Sequence, residues 1–159
     1  QTNGLSGKLL EPKACFVTLT KGGALRGCIG SLLPQAGLCQ SVMENARRAA
    51  TRDPRFAPVQ PEELDRIEFE ISGLTEPRPL EFNSTAELLN KLQPFRDGVI
   101  LQIGGRKATY LPQVWARLPA KTSFLDSLSR KAGCEPSAWR GPGTSVQTYE
   151  VECFGDARN

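Results

Sequence analysis

The chain has 159 residues, a net charge of +3 and no histidine, so it supplies no Ser-His-Asp or Cys-His pair, no HExxH zinc site and no His-ligated haem of its own. Hydrophobic residues make up 39%, or about 48% with glycine counted, which is globular composition, and Gly plus Pro at about 17% lies below the low-complexity range. Five cysteines, at 15, 28, 39, 134 and 153, include no C-x-x-C pair, which argues against a zinc ribbon or a disulfide framework.

The first predicted element is a strand over Cys15–Thr20, C-F-V-T-L-T, rich in β-branched and aromatic residues. Lys21-Gly22-Gly23-Ala24 supplies a tight turn, and Leu25–Ser31 returns as the second strand of a hairpin. From Gly37 to about Thr51, Leu38, Val42, Ala46 and Ala50 recur at helical spacing, with Arg47 and Arg48 in the last turn and Pro54 beyond. Pro61-Glu62-Glu63-Leu64 reads as a single helical turn. Ile67–Ser72 alternates with period two, predicting a strand with one buried and one acidic face. Pro77 and Pro79 break that pattern and mark a candidate subdomain seam near residues 75–82. Ser84 and Glu87 have capping-box spacing ahead of a short helix. Val99–Ile103 and Arg106–Leu111 form a hairpin about Gly104-Gly105. Thr122 is placed to cap a helix ending near Ala132, with Gly133 after it, and a closing strand is expected over Val146–Phe154. Strands joined by hairpins, with helices between, predict one α+β domain with largely antiparallel sheets.

The charge is distributed unevenly. Residues 13–55 and 93–134 each carry a surplus of five positive charges, and residues 60–92 a surplus of five negative ones. The two readings are solvated faces that neutralise one another and an anion-binding cleft where the basic segments meet. A net charge this small does not imply nucleic acid, and no apolar run approaches the length needed to cross a bilayer. Free thiols predict the cytoplasm. The chain begins at Gln1 rather than methionine, so its N-terminus is expected to be truncated.

The densest chemistry lies in Leu25-Arg26-Gly27-Cys28-Ile29-Gly30. Strand alternation predicts Leu25 and Ile29 on one side with Gly27 between, and Arg26 and Cys28 on the other with Gly30 beside them. An ordinary thiol is only about 3% thiolate at pH 7, so a reactive Cys28 needs on the order of 2.7 kcal/mol of stabilisation. Without histidine that must come from arginine or backbone amides. Three readings of Cys28 stand: nucleophile, pocket-lining thiol, or packed core residue. A second constellation, Thr51-Arg52-Asp53-Pro54-Arg55-Phe56, follows the basic helix. Asp53 is placed to accept from backbone amides or to hold Arg55; alternatively Arg26, Arg48 and Arg55 form an anion site. Glu70 reads as solvated or paired rather than catalytic, Asp97-Gly98 as a turn, and Trp115 and Trp139 as core anchors.

L-R-G-C-I-G at 25–30 resembles the hallmark of the AMMECR-one domain family, whose prokaryotic members are called AmmeMemoRadiSam system protein A. The resemblance continues through E-N-A-R-R-A-A at 44–50, D-P-R-F at 53–56, P-E-E-L at 61–64, R-D-G-V-I-L at 96–101, L-P-Q-V-W at 111–115 and R-K-A-G at 130–133. It implies an α+β fold of two subdomains around a cleft, with the hexapeptide near it, and a leading helix of which this chain shows only part. It also implies a Memo-like protein and a radical SAM enzyme as partners; it implies no reaction, no cofactor and no metal site in the chain itself. Carried over, the motifs make Arg26, Gly27, Cys28, Gly30, Asp53 and Arg55 the candidate site, with Arg48 beside them and Cys28 the candidate catalytic residue. The expected function is an accessory component binding a small anionic ligand or a peptide there. The alternatives are a cysteine-dependent transferase or hydrolase, and a nucleic-acid-binding module. Lacking histidine, the chain fits a companion protein better than a self-sufficient enzyme.

Overall fold

A computed structural model describes residues 6–155. They form two antiparallel four-stranded sheets with helices packed on them, an α+β fold. The chain divides into two compact units: one runs to Glu76 and resumes at Glu152, the other is Pro77–Val151.

In the first unit a four-residue helix, α1 (Gly7–Leu10), precedes β1 (Cys15–Lys21), β2 (Ala24–Gly30), the long helix α2 (Leu38–Thr51) and β3 (Ile67–Leu74). β8 (Val151–Gly155) completes the sheet, whose order is β2-β1-β3-β8. Gly22 and Gly23 take φ of 58° and 78° in the β1–β2 turn, a region that costs a side-chain-bearing residue free energy. Alternation along β1 buries Cys15, Val17 and Leu19, and these pack with Leu38 and Ala49 of α2 and with Ile67 and Ile71 of β3. The predicted two-faced pattern of β3 holds only at its start. Phe69, in phase with Ile67 and Ile71, is 43% exposed, while Ser72, in phase with the acidic residues, is fully buried.

The β1–β2 pairing corrects the predicted facing of the hexapeptide. Leu19 lies opposite Gly27 but Thr20 lies opposite Leu25, so Arg26 is the extra residue of a bulge. Leu25 thereby joins the register of Thr20 instead of sharing a side with Gly27 and Ile29. Gly27 meets α2 so closely that a Cβ there would strike the carbonyl oxygen of Ala49. This close approach, rather than unusual torsions, is what demands glycine.

The second unit carries β4 (Arg78–Pro79), α3 (Thr85–Lys91), β5 (Gly98–Ile103), β6 (Arg106–Tyr110), α4 (Lys121–Lys131) and β7 (Thr144–Tyr149), with sheet order β4-β7-β5-β6. Its core joins Leu88, Val99, Leu101, Leu125, Leu128 and Val146 around Trp115 and Trp139. Trp115 stacks on Phe124 at 3.6 Å and donates its indole N–H to the Asp97 carbonyl at 2.7 Å. Ser84 accepts from the Glu87 amide at 3.1 Å and caps α3, as its spacing predicts. Three expectations are corrected here. α4 begins after Ala120, with no side-chain cap, so Thr122 lies inside its first turn. The turn read at Asp97-Gly98 lies instead at residues 94–96: the buried Asp97 follows it, its amide donating to the Gln93 carbonyl at 3.0 Å, and Gly98 begins β5. The single closing strand is two strands, β7 and β8, in different sheets, separated at Glu150.

Candidate functional site

β2 lies at the edge of its sheet, where backbone groups lack a neighbouring strand. The segment after α2 fills that role. Asp53, 4% exposed, accepts from the Cys28 amide through Oδ2 at 2.9 Å, and Arg55 donates through Nη2 to the Cys28 carbonyl at 3.4 Å. The two side chains also bind each other: Arg55 Nε donates to Asp53 Oδ1 at 3.0 Å and Nη2 to Oδ2 at 2.7 Å, with the Arg55 amide on Oδ1 at 3.1 Å. Four bonds thus converge on one carboxylate. They hold Asp53 well below the usual carboxylate range, the Arg55 side chain contributing most, against the opposing effect of burial. Arg55 is held above its ordinary value, chiefly by Asp53 and in smaller part by Cys28. Of Arg26 and Arg55, it is Arg55 that is bonded to the Cys28 backbone.

Arg26 turns to a different partner. Its guanidinium donates Nε and Nη2 to the two oxygens of Glu63 at 3.1 and 3.0 Å, and Nη1 to the Ala57 carbonyl at 2.8 Å. Lys21 donates to the same carboxylate at 2.7 Å, and the Gln60 amide at 2.8 Å. Arg26 first, then Lys21 and that amide, hold Glu63 well below the ordinary range. Cys28 Sγ lies 3.3 Å from Thr18 Oγ1, and Thr18 is directly opposite Glu70 on β3.

The remaining predicted residues meet elsewhere in the same unit. A cavity of about 490 Å³ opens between the start of β1, the end of β2 and the flank of α2, with Gly30 and Arg48 in its lining. Lys13, Ser31, Glu44 and Asn45 line it as well. Asn45 is 7% exposed and donates from Nδ2 to the Cys15 carbonyl at 3.2 Å and to Cys15 Sγ at 3.5 Å. Burial pushes the Cys15 thiol up, partly offset by that contact. Arg48 makes no side-chain bond among the described residues.

Six of the seven predicted positions thus fall into three groups, and Gly27 stands apart. Asp53, Arg55 and Cys28 form one cluster, Arg26 pairs with Glu63, and Gly30 and Arg48 share the cavity, while Gly27 serves the packing of β2 on α2. Sequence reasoning missed Glu63, Lys13, Glu44 and Asn45 as site residues. For Asn45 a signal existed: a polar residue one position before Ala46 within the apolar stripe of α2. Among the described residues no group of acidic, cysteine or histidine side chains is arranged to hold a metal, and no helix is long and apolar enough to cross a membrane.

The sequence pattern of the AMMECR1 family matches residues 1–154. The chain belongs to that family. Among related sequences, a protein of Methanothermobacter thermautotrophicus is 41% identical over 145 residues, covering 91% of this chain and 76% of its own. One from Thermofilum pendens is 39% identical over 161 residues, covering 92% and 74%. The crystal structure of an uncharacterised protein from Pyrococcus horikoshii superimposes with a TM-score of 0.90 at 34% identity, over 98% of this chain and 79% of that one. These likenesses support the AMMECR1 fold and assign no reaction to it.

Proposed function

We propose that this AMMECR1 domain is a cytoplasmic binding component, not a self-contained enzyme, and that it takes an anionic group of a small molecule or peptide into the cavity beside Gly30 and Arg48. One observation carries this reading: of the three arginines near the motif, Arg26 and Arg55 are paired with carboxylates, while the Arg48 guanidinium has no partner among the described residues and borders a cavity of about 490 Å³. That volume lies within the roughly 300–1,000 Å³ of small-ligand sites. Lys13, whose ammonium lies 3.7 Å from Glu152, also lines the cavity. In this reading Asp53, Arg55 and Arg26 are positioning residues that fix the strand ending at Gly30. The Memo-like protein and radical SAM enzyme implied by the motif resemblance are the proposed companions, supplying the metal and redox chemistry.

Titration of the labelled chain with N-acetyl-Ala-Ala and with its C-terminal amide, followed by amide NMR, tests the anion site. The carboxylate is expected to shift Ser31, Asn45 and Arg48, and Arg48→Ala to weaken binding about tenfold, the equivalent of about 1.4 kcal/mol. Equal binding of acid and amide, or shifts centred on Cys28 and Arg55, defeats the assignment.

A further inference from the structure

The cavity holds a second feature that its positive charge does not explain. Glu44 and Arg48 are four residues apart on α2, in the order that favours pairing along a helix, and both line the cavity. Glu87 and Lys91, with the same spacing and order on α3, pair at 2.7 Å. Glu44 and Arg48 form no such pair, and neither side chain has another partner among the described residues. Asn45, on the adjoining buried face of α2, also lines the cavity; it is more than nine-tenths buried, its Nδ2 engaged by Cys15 and its Oδ1 accepting no bond from the described residues.

We infer that this cavity binds a short peptide with both ends free, its carboxylate on Arg48 and its ammonium on Glu44. The inference rests on the anion-binding reading above and specifies the ligand class for the same site. A purely anionic ligand would leave the Glu44 carboxylate beside a like charge, which is repulsive. A zwitterion satisfies both charges at once. Asn45 Oδ1 supplies an acceptor for a backbone or ammonium N–H of the ligand. The volume, about 490 Å³, corresponds to roughly sixteen waters at about 30 Å³ each, room for a dipeptide or tripeptide.

The test compares Ala-Ala, N-acetyl-Ala-Ala and Ala-Ala amide on the full chain by amide NMR titration, with Glu44→Gln and Arg48→Ala variants. Ala-Ala is expected to bind at least fivefold more tightly than the N-acetyl form. Glu44→Gln should erase that preference while leaving the N-acetyl peptide's affinity the same or higher, and Arg48→Ala should weaken both peptides. If the N-acetyl form binds as well as Ala-Ala, the zwitterion inference fails and the anion site stands. If the amide binds as well as the free acid, the anion site itself fails. Absence of binding by all three peptides at millimolar concentration overturns both.

Discussion

Replacing Asp53 with asparagine probes the device that closes the edge of β2. The carboxylate accepts four hydrogen bonds, two on each oxygen. An amide keeps one oxygen and places an NH₂ where the other stood. With its oxygen kept on the Cys28 amide, that NH₂ faces the amide and Nε of Arg55, both donors. Two bonds to a charged group are lost, each worth about 1.5–3 kcal/mol. The Arg55 side chain is 55% exposed and regains water, so the net cost is about 2–4 kcal/mol. With a urea slope of about 1–3 kcal/mol per molar, the unfolding midpoint should fall by about 1–2 M at pH 7. The effect also has a pH signature. Because Asp53 titrates lower folded than unfolded, its stabilisation is fully present above the unfolded value near 3.9 and disappears as pH falls through the folded value. The stability gap between wild type and Asp53→Asn should therefore narrow as pH is lowered from 5 to 2, and Cys28 amide exchange should quicken in the variant. A midpoint within about 0.3 M of wild type, or a gap unchanged at pH 2.5, would refute the reasoning.

Gly27→Ala should destabilise by about 2–3 kcal/mol, since the new methyl meets the backbone oxygen of Ala49 and not a movable side chain; thermal unfolding reads this, and an unchanged midpoint contradicts the close approach of β2 to α2. Glu63→Gln should release Lys21 and Arg26 from their shared carboxylate, seen as faster tryptic cleavage after Arg26, with rates matching wild type as the contrary result.

Much of this architecture is legible in the residues. Both hairpins, α2 and the Ser84 cap are local features: a glycine pair, a 3.6-residue period, an acceptor at the right spacing. What escapes is what depends on distant partners. The bulge at Arg26 breaks the alternation that a regular pleat assumes; Gly27 and Gly30 signal a bulge or a close approach on this strand without placing it at Arg26, and the residue that holds the Arg26 guanidinium, Glu63, lies 37 positions away. Arg55 and Asp53, two positions apart, are readable as a pair, yet their common target, the backbone of Cys28, is not. α4 starts after Ala120 where Thr122 is the better capping residue, and Lys121, donating to the Leu89 carbonyl at 2.6 Å, anchors that first turn through a tertiary contact. The last strand appears as one run because Tyr149 and Val151 are both strand formers. Only the pairing shows that β7 joins β5 and β8 joins β3.

That change of sheet makes the second unit an insertion. β3 ends at Leu74 and its neighbour β8 begins at Val151, so the first sheet is completed by a strand synthesised after the whole of the other unit. Joining those strands across a flexible stretch of roughly 75 residues costs about 4 kcal/mol of loop entropy plus a constant. If the intervening unit folds first around its contiguous core, the loop to be closed contracts to the distance between that unit's ends. Connectivity thus favours an order in which the inserted unit folds before β8 docks on β3.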